Sequence, residues 1–186
     1  MSKEKISLYS LSDLKNSSDD SIPAYLNSIK FRESHKLGDI RLAVGYLAVS
    51  ISAASFYWDY KYGFQSTKNY TAVAVLLYTI LNGFLTYWIT FVENGIIYTG
   101  TSPRGDRIQI SSKVDKYSPI YNLTITTYPK DKPRTPEKIH LKKAFNTWFN
   151  EAGYFVALPF QTMLAVGVPA IGAADEMSRA GLAKKQ

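Results

Sequence analysis

Two stretches, Leu42–Trp58 (LAVGYLAVSISAASFYW) and Tyr70–Val92 (YTAVAVLLYTILNGFLTYWITFV), decide how this chain is read: neither carries a charged residue, over 17 and 23 positions. At about 1.5 Å of rise per residue they reach roughly 26 and 35 Å as helices. A bilayer hydrocarbon core is ~30 Å thick, and the endoplasmic reticulum bilayer is a few Å thinner. The pair reads as a transmembrane helical hairpin, with a polar connector at Asp59–Asn69. Trp58, Tyr60, Tyr62 and Tyr70 flank that connector, and Tyr87 and Trp88, with Phe91, mark the far end of the second span. Tyr and Trp at both ends are what membrane spans place at headgroup level. A buried hairpin of a soluble protein has no need of such ends.

Orientation follows from the cations. Of 22 Lys and Arg, Lys3, Lys5, Lys15, Lys30, Arg32, Lys36 and Arg41 precede the first span, the connector holds only Lys61 and Lys68, and the rest follow the second span from Arg104 onward. The excess near the start of the first span places both termini in the cytosol and the connector in the lumen. The net charge of +7 is thus read as topological. The basic residues are spread out rather than packed into a stripe, so no nucleic-acid partner is expected. Forty-one mostly polar residues before the first span argue against a cleavable signal peptide.

Within the spans, Gly45, Ala48, Ser52 and Ser55 share one helical face. Thr79, Gly83, Thr86 and Thr90 share another, with Asn82 alongside. Small and hydroxyl residues let membrane helices approach closely. These residues are the candidate packing or partner-interface positions. No ionisable group lies inside either span, which argues against an ion or proton pathway.

The flanks suggest a small domain. Residues 1–41 read as a cytosolic arm, with serines ahead of an apolar run near Leu8–Leu14, a polar break at Ser17–Ser21, and Pro23 opening a second helix. After Gly95 the period changes. Ile96–Thr99, then Ile108, Ile110 and Val114, then Tyr121, Leu123, Ile125 and Thr127 alternate between turns at Ser102–Asp106 and Ser118-Pro119, as in an antiparallel meander. Pro129–Pro136 reads as a surface loop. Leu141, Ala144, Phe145, Trp148, Phe149 and Ala152 recur with helical spacing up to Gly153, predicting one amphipathic helix, although Ile139 and Leu141 also suit a strand. No charge separates Glu151 from Asp175. Pro159, Pro169 and the glycines at 167 and 172 nevertheless favour a strand near Tyr154–Leu158, then an apolar tail facing a partner or the membrane, over a third span. The fold class expected is membrane α+β: a hairpin (42–92), a cytosolic α/β domain (93–158) and an apolar, then basic, tail (159–186).

The inventory for chemistry is poor. There is no cysteine, and the two histidines, His35 and His140, lie far apart. No G-x-S-x-G elbow, zinc spacing, phosphate loop or dinucleotide fingerprint occurs. No catalytic, metal or cofactor residues are expected.

Asp39-Ile-Arg-Leu leading to Gly45-Tyr46, Phe56–Phe64 across the connector, Phe91-Val-Glu-Asn-Gly-Ile-Ile-Tyr98, and Phe145 with Trp148–Gly153 together resemble signal peptidase complex subunit 2 in a fungal-type version. The likeness covers roughly residues 5–158 and lies in order and spacing more than in one motif. It implies a non-catalytic subunit of the endoplasmic reticulum complex that removes signal peptides, with two spans, cytosolic ends and a small cytosolic α/β domain. It implies partners in the catalytic and other subunits of that complex and in the beta subunit of the Sec translocon, with membrane lipids around the spans. The work expected is to support the catalytic subunit, shape or thin the bilayer, and dock to the translocation channel. Two other classes share the same periodicities: a generic two-span membrane adaptor, and a membrane-anchored hydrolase with a polar pocket in residues 95–158.

Overall fold

Strict alternation in two neighbouring segments sets up a sheet. Ile108/Ile110/Ser112 and Tyr121/Leu123/Ile125/Thr127 are buried, while their intervening neighbours reach solvent. In the computed structural model, which describes residues 5–130 and 135–183, these segments form β3 (Arg107–Val114) and β4 (Ile120–Tyr128). They lie in a five-stranded antiparallel sheet of order β1-β2-β3-β4-β5. β1 is Arg32–Glu33, β2 is Ile96–Thr101 and β5 is Glu137–Ala144. The Pro129–Pro136 loop falls partly outside the described residues.

The chain divides into two compact units. The first comprises 1–34 and 95–186 and contains the sheet. α1 (Leu11–Ser28) buries Leu14, Ile22, Tyr25 and Leu26 in the same apolar cluster as Ile108, Ile110, Leu123 and Ile125. It starts on Ser10, whose side chain accepts from the Asp13 amide, an N-cap arrangement. The expected break at Ser17–Ser21 and fresh start at Pro23 do not occur. Ser18 and Ser21 turn their hydroxyls back onto the carbonyls of Leu14 and Ser17, and one helix runs through Pro23. Burial of Ile22, Tyr25 and Leu26 offsets the missing proline N–H.

The expected amphipathic helix over 141–152 is likewise absent. β5 runs to Ala144, and only Phe145–Thr147 makes a 3₁₀ turn. Ile139 and Leu141 point to the apolar cluster while Lys138, His140 and Lys142 are exposed. That is a period of two, and pairing with β4 over eight positions wins over a helical stripe that fits the same letters. Phe145, Trp148 and Phe149 still pack inward, from turns rather than a helix.

Beyond Gly153 the expected strand shrinks to one bridge, Phe149 with Phe155. α4 (Ala157–Gly167) and α5 (Pro169–Ala183) follow, bent by 119° at Val168. Pro159 stands in the first turn of α4 and Pro169 opens α5, positions where a missing N–H costs no helical bond. Phe160, Leu164, Val168, Ile171 and Ala174 are all buried in the sheet unit's core. The charge-free run is therefore core on one side, although Leu158 and Val166 are exposed on the other.

The second unit, 35–94, is the hairpin. α2 spans Lys36–Tyr62 and α3 spans Phe64–Tyr87, continued by a π-helical stretch, Trp88–Glu93. The eleven-residue connector expected from charge is thus mostly helix. The chain reverses at Gly63, whose φ of 78° lies in the left-handed region.

Candidate functional site

The hairpin is the functional element that the sequence makes most visible. With 27 and 30 residues, its helices measure roughly 40 and 45 Å, so each is long enough to cross a bilayer core. Most of their large side chains are exposed, among them Leu76, Ile80, Val73 and Val75. In water such a surface is a liability, and in hydrocarbon it is the solvated state.

The seam between α2 and α3 is narrow. Ala48 is the buried residue of α2, with Val44, Gly45, Ile51, Ser55 and Asp59 half-buried along the same line. Ser52 is exposed. A Cβ added at Gly45 would meet nothing within 4 Å. Between Ile51, Ser55 and Trp58 of α2 and Tyr70, Thr71 and Ala74 of α3 a groove of about 270 Å³ remains. On α3, Thr79, Gly83, Thr86 and Thr90 are all exposed, and Gly83 also has open space around it. Thr79 and Thr86 donate to the carbonyls of Val75 and Asn82, and the half-buried Asn82 donates to that of Tyr78. The face is made of small residues, and two of its three threonines bond their own helix.

Charge and hydroxyl groups gather at the two ends of the hairpin. At the Gly63 tip the Asp59 carboxylate accepts from the Thr67 hydroxyl and from Thr71 Oγ1 at 2.7 Å, which ties α2 to α3. Thr67 is 2% exposed. At the other end Arg41 pairs with Glu93 at 3.2 Å. The Trp88 indole N–H is buried without a partner among the described residues. Residue-by-residue reading missed both ties. The one charged group beside Trp58, followed by threonines four apart at 67 and 71, was the available signal.

The rings expected at the membrane interface lie near the two ends of the hairpin. Trp58, Tyr60, Tyr62 and Tyr70 are exposed around the tip, with Trp58 and Tyr62 rings 5.2 Å apart. Tyr87 is exposed and stacks near Phe91 at 5.0 Å, while Trp88 is half-buried beside Phe84 at 5.9 Å.

In the sheet unit the polar side chains serve the core. Asp19 of α1 accepts from Ser112 Oγ at 3.0 Å and from the Tyr121 hydroxyl, and pairs with Lys15. Burial, then the Asp19 charge, pushes the Tyr121 phenol well above its ordinary range. Burial and the nearby Asp175 raise Tyr25 to about 12, and burial and Glu33 do the same for Tyr98. The Trp148 indole donates to Ser18 Oγ at 3.0 Å. His140 shares a hydrogen bond with Thr124 on the open sheet face. Among the described residues no cluster of His, Asp and Glu has metal-binding geometry.

Comparison with known proteins adds the family. The profile described as "Microsomal signal peptidase 25 kDa subunit" matches residues 13–168, which takes in α1, the hairpin, the sheet and α4. The chain is similar to Signal peptidase complex subunit 2 of Saccharomyces cerevisiae, 27% identical over 155 residues, 82% of this chain and 86% of that one. It is also similar to the protein of that name from Schizosaccharomyces pombe, 28% identical over 119 residues (64% and 70%). A third, from Dictyostelium discoideum, is 24% identical over 163 residues (87% and 85%).

Proposed function

The chain belongs to the microsomal signal peptidase 25 kDa subunit family, and from that premise we propose that it is a non-catalytic accessory subunit of the signal peptidase complex in the endoplasmic reticulum membrane. The observation that carries this reading is the extent of the family match, which covers hairpin and sheet domain together rather than the apolar helices alone. Two helices long enough to span support the membrane placement. The distribution of Lys and Arg supports cytosolic termini.

The non-catalytic role draws support from what the polar groups do. Ser18, Ser112, Tyr121, Asp19 and Lys15 are engaged with one another or with backbone in holding α1 on the sheet. A nucleophile needs instead a base within hydrogen-bond reach and room for substrate. The chain's work is then mechanical: to hold the catalytic subunit through the hairpin, with the exposed Thr79–Thr90 face as the contact surface, and to dock on the beta subunit of the Sec translocon. The uncharged run of the first span, about 26 Å, is short for a ~30 Å core, so mismatch favours a locally thinned bilayer.

Depletion of the chain followed by pulse-labelling of a signal-bearing secretory precursor tests this function. Accumulation of uncleaved precursor, reversed by the wild-type chain, is expected. Cleavage at the undepleted rate, with the complex still assembled, would contradict it. A tag after Gln186 should be digested by protease in intact microsomes, and a protected tag would overturn the two-span topology.

A further inference from the structure

The sheet has a second face that no helix among the described residues of its unit fills. Side chains of β3, β4 and β5 opposite the core include Arg107, Lys113, Lys138 and Lys142, all exposed. Among the described residues none of the four has an ion-pair partner. Of the acids in or next to these strands, Glu137 pairs with Thr127 in the core-facing register, while Asp115, just after β3, accepts from Asn122 and places one carboxylate at that end of the face. Between the cations lie Ser111, Thr124 and Thr126, all partly exposed.

The spacing of the charges says what they suit. Lys113 and Lys142 stand in one cross-strand row with Asn122 between them, roughly 10 Å apart at the usual strand separation. Lys138 and Lys142 lie four residues apart along β5, roughly 13 Å. A single phosphate or carboxylate is held by donors converging within hydrogen-bond distance, and these do not converge. A broad anionic surface whose charges diffuse to meet them is the better match.

Covalent connectivity favours a membrane over an acidic polypeptide. Only Ser34-His35 and Asn94-Gly95 separate β1 and β2 from helices read as spans, which keeps the domain at high effective concentration beside headgroups. We propose that the Arg107–Lys113–Lys138–Lys142 face docks on anionic phospholipid headgroups of the cytosolic leaflet. The proposal rests on the cytosolic placement of this domain given above. Its consequence is an orientation restraint: the domain would be held against the bilayer by charge as well as by its two short connections.

The chain contains no cysteine, so Thr126→Cys and Gln65→Cys each supply a unique fluorophore site in the full chain. The labelled chain is reconstituted in nanodiscs of phosphatidylcholine alone or with phosphatidylserine, both carrying a nitroxide quencher on trace headgroups. Quenching at Thr126→Cys is expected to rise several-fold with phosphatidylserine. It should fall back in ~1 M salt, where the Debye length is about 3 Å. Each of Lys113→Gln, Lys138→Gln and Lys142→Gln should weaken the docked state about fivefold. These are exposed positions, so folding is retained, and a glutamate series extends the effect. Equal quenching in both lipids would overturn the proposal, as would release of the face from anionic lipid by excess polyglutamate at constant ionic strength, which would point to an acidic partner. Gln65→Cys at the hairpin tip reports insertion separately. If it is unquenched in every lipid, the spanning reading fails and takes the proposal with it.

Discussion

Replacing Asp19 by alanine strikes the polar tie between α1 and the sheet. The carboxylate accepts from Ser112 and Tyr121, residues 7% and 1% exposed. Its loss leaves two buried hydroxyls without that acceptor, each costing about 1–3 kcal/mol. The Lys15 pair, i to i+4 and partly exposed, adds about 0.3–0.5 kcal/mol. The expected loss is about 2–6 kcal/mol. Pulse proteolysis of the full chain in detergent across a urea series measures it. Tyr121→Phe supplies the control: in the Asp19→Ala background it should cost much less than in the wild type, because its partner is already gone, with a coupling of about 1–3 kcal/mol. A single-variant loss below about 0.5 kcal/mol, or strict additivity of the pair, would refute the reasoning.

Alkaline titration should expose the same core. Tyr25 and Tyr98 ionise near 12 and Tyr121 higher still, above the ordinary value of about 10. Stability is therefore complete below pH ~10 and falls above it, as the unfolded chain ionises first, by about 1.4 kcal/mol per pH unit for each of these tyrosines. Urea midpoints from neutral pH upward, with Tyr25→Phe flattening the fall, check this. Gly153 has φ 85°, and an added Cβ would stand 2.3 Å from the Ile6 carbonyl oxygen. Gly153→Ala should thus cost about 2–4 kcal/mol through strain and overpacking, read as a drop in Tm. Leu164 is fully buried, so Leu164→Ala should destabilise the sheet unit by about 2–5 kcal/mol. Unchanged protease resistance of that unit would show that α4 and α5 do not belong to its core. Asp59→Ala removes the acceptor of buried Thr67 and of Thr71, and about 1–3 kcal/mol of hairpin stability, measurable by the urea dependence of proteolysis at the tip.

The hairpin and the central strands were legible because one signal dominated each. Uncharged runs of 17 and 23 residues unbroken by proline read as membrane spans, and Tyr121/Leu123/Ile125 alternates without competition. Where two periods fit the same letters, reading failed. Leu141, Ala144, Phe145 and Trp148 satisfy a helical stripe, yet Ile139 and Leu141 also satisfy a strand, and the choice was made by eight residues of pairing with β4. Such pairing is a long-range event that local spacing does not encode. The prolines at 23, 159 and 169 misled in another way. Two of them occupy helix first turns, and the third is outweighed by the burial of Ile22, Tyr25 and Leu26. Charge marked Asp59–Asn69 as a loop, but charge reports where the membrane ends, and a helix is free to continue past that point.

The candidate interface divides along the same line. Spacing placed Thr79, Gly83, Thr86 and Thr90 together, and the structure shows that face exposed. It also brings Ala48 and Ser55 to the α2–α3 seam, while Gly45 has open space around it and Ser52 is exposed.

Native purification of the tagged chain from microsomes in mild detergent, with mass spectrometry of the stoichiometric components, tests the central claim most directly. The account predicts recovery of the signal peptidase catalytic subunit at equal stoichiometry, lost when Gly83 and Thr86 are both replaced by bulky leucine. Recovery of the chain alone, or with an assembly unrelated to signal-peptide removal, would contradict it.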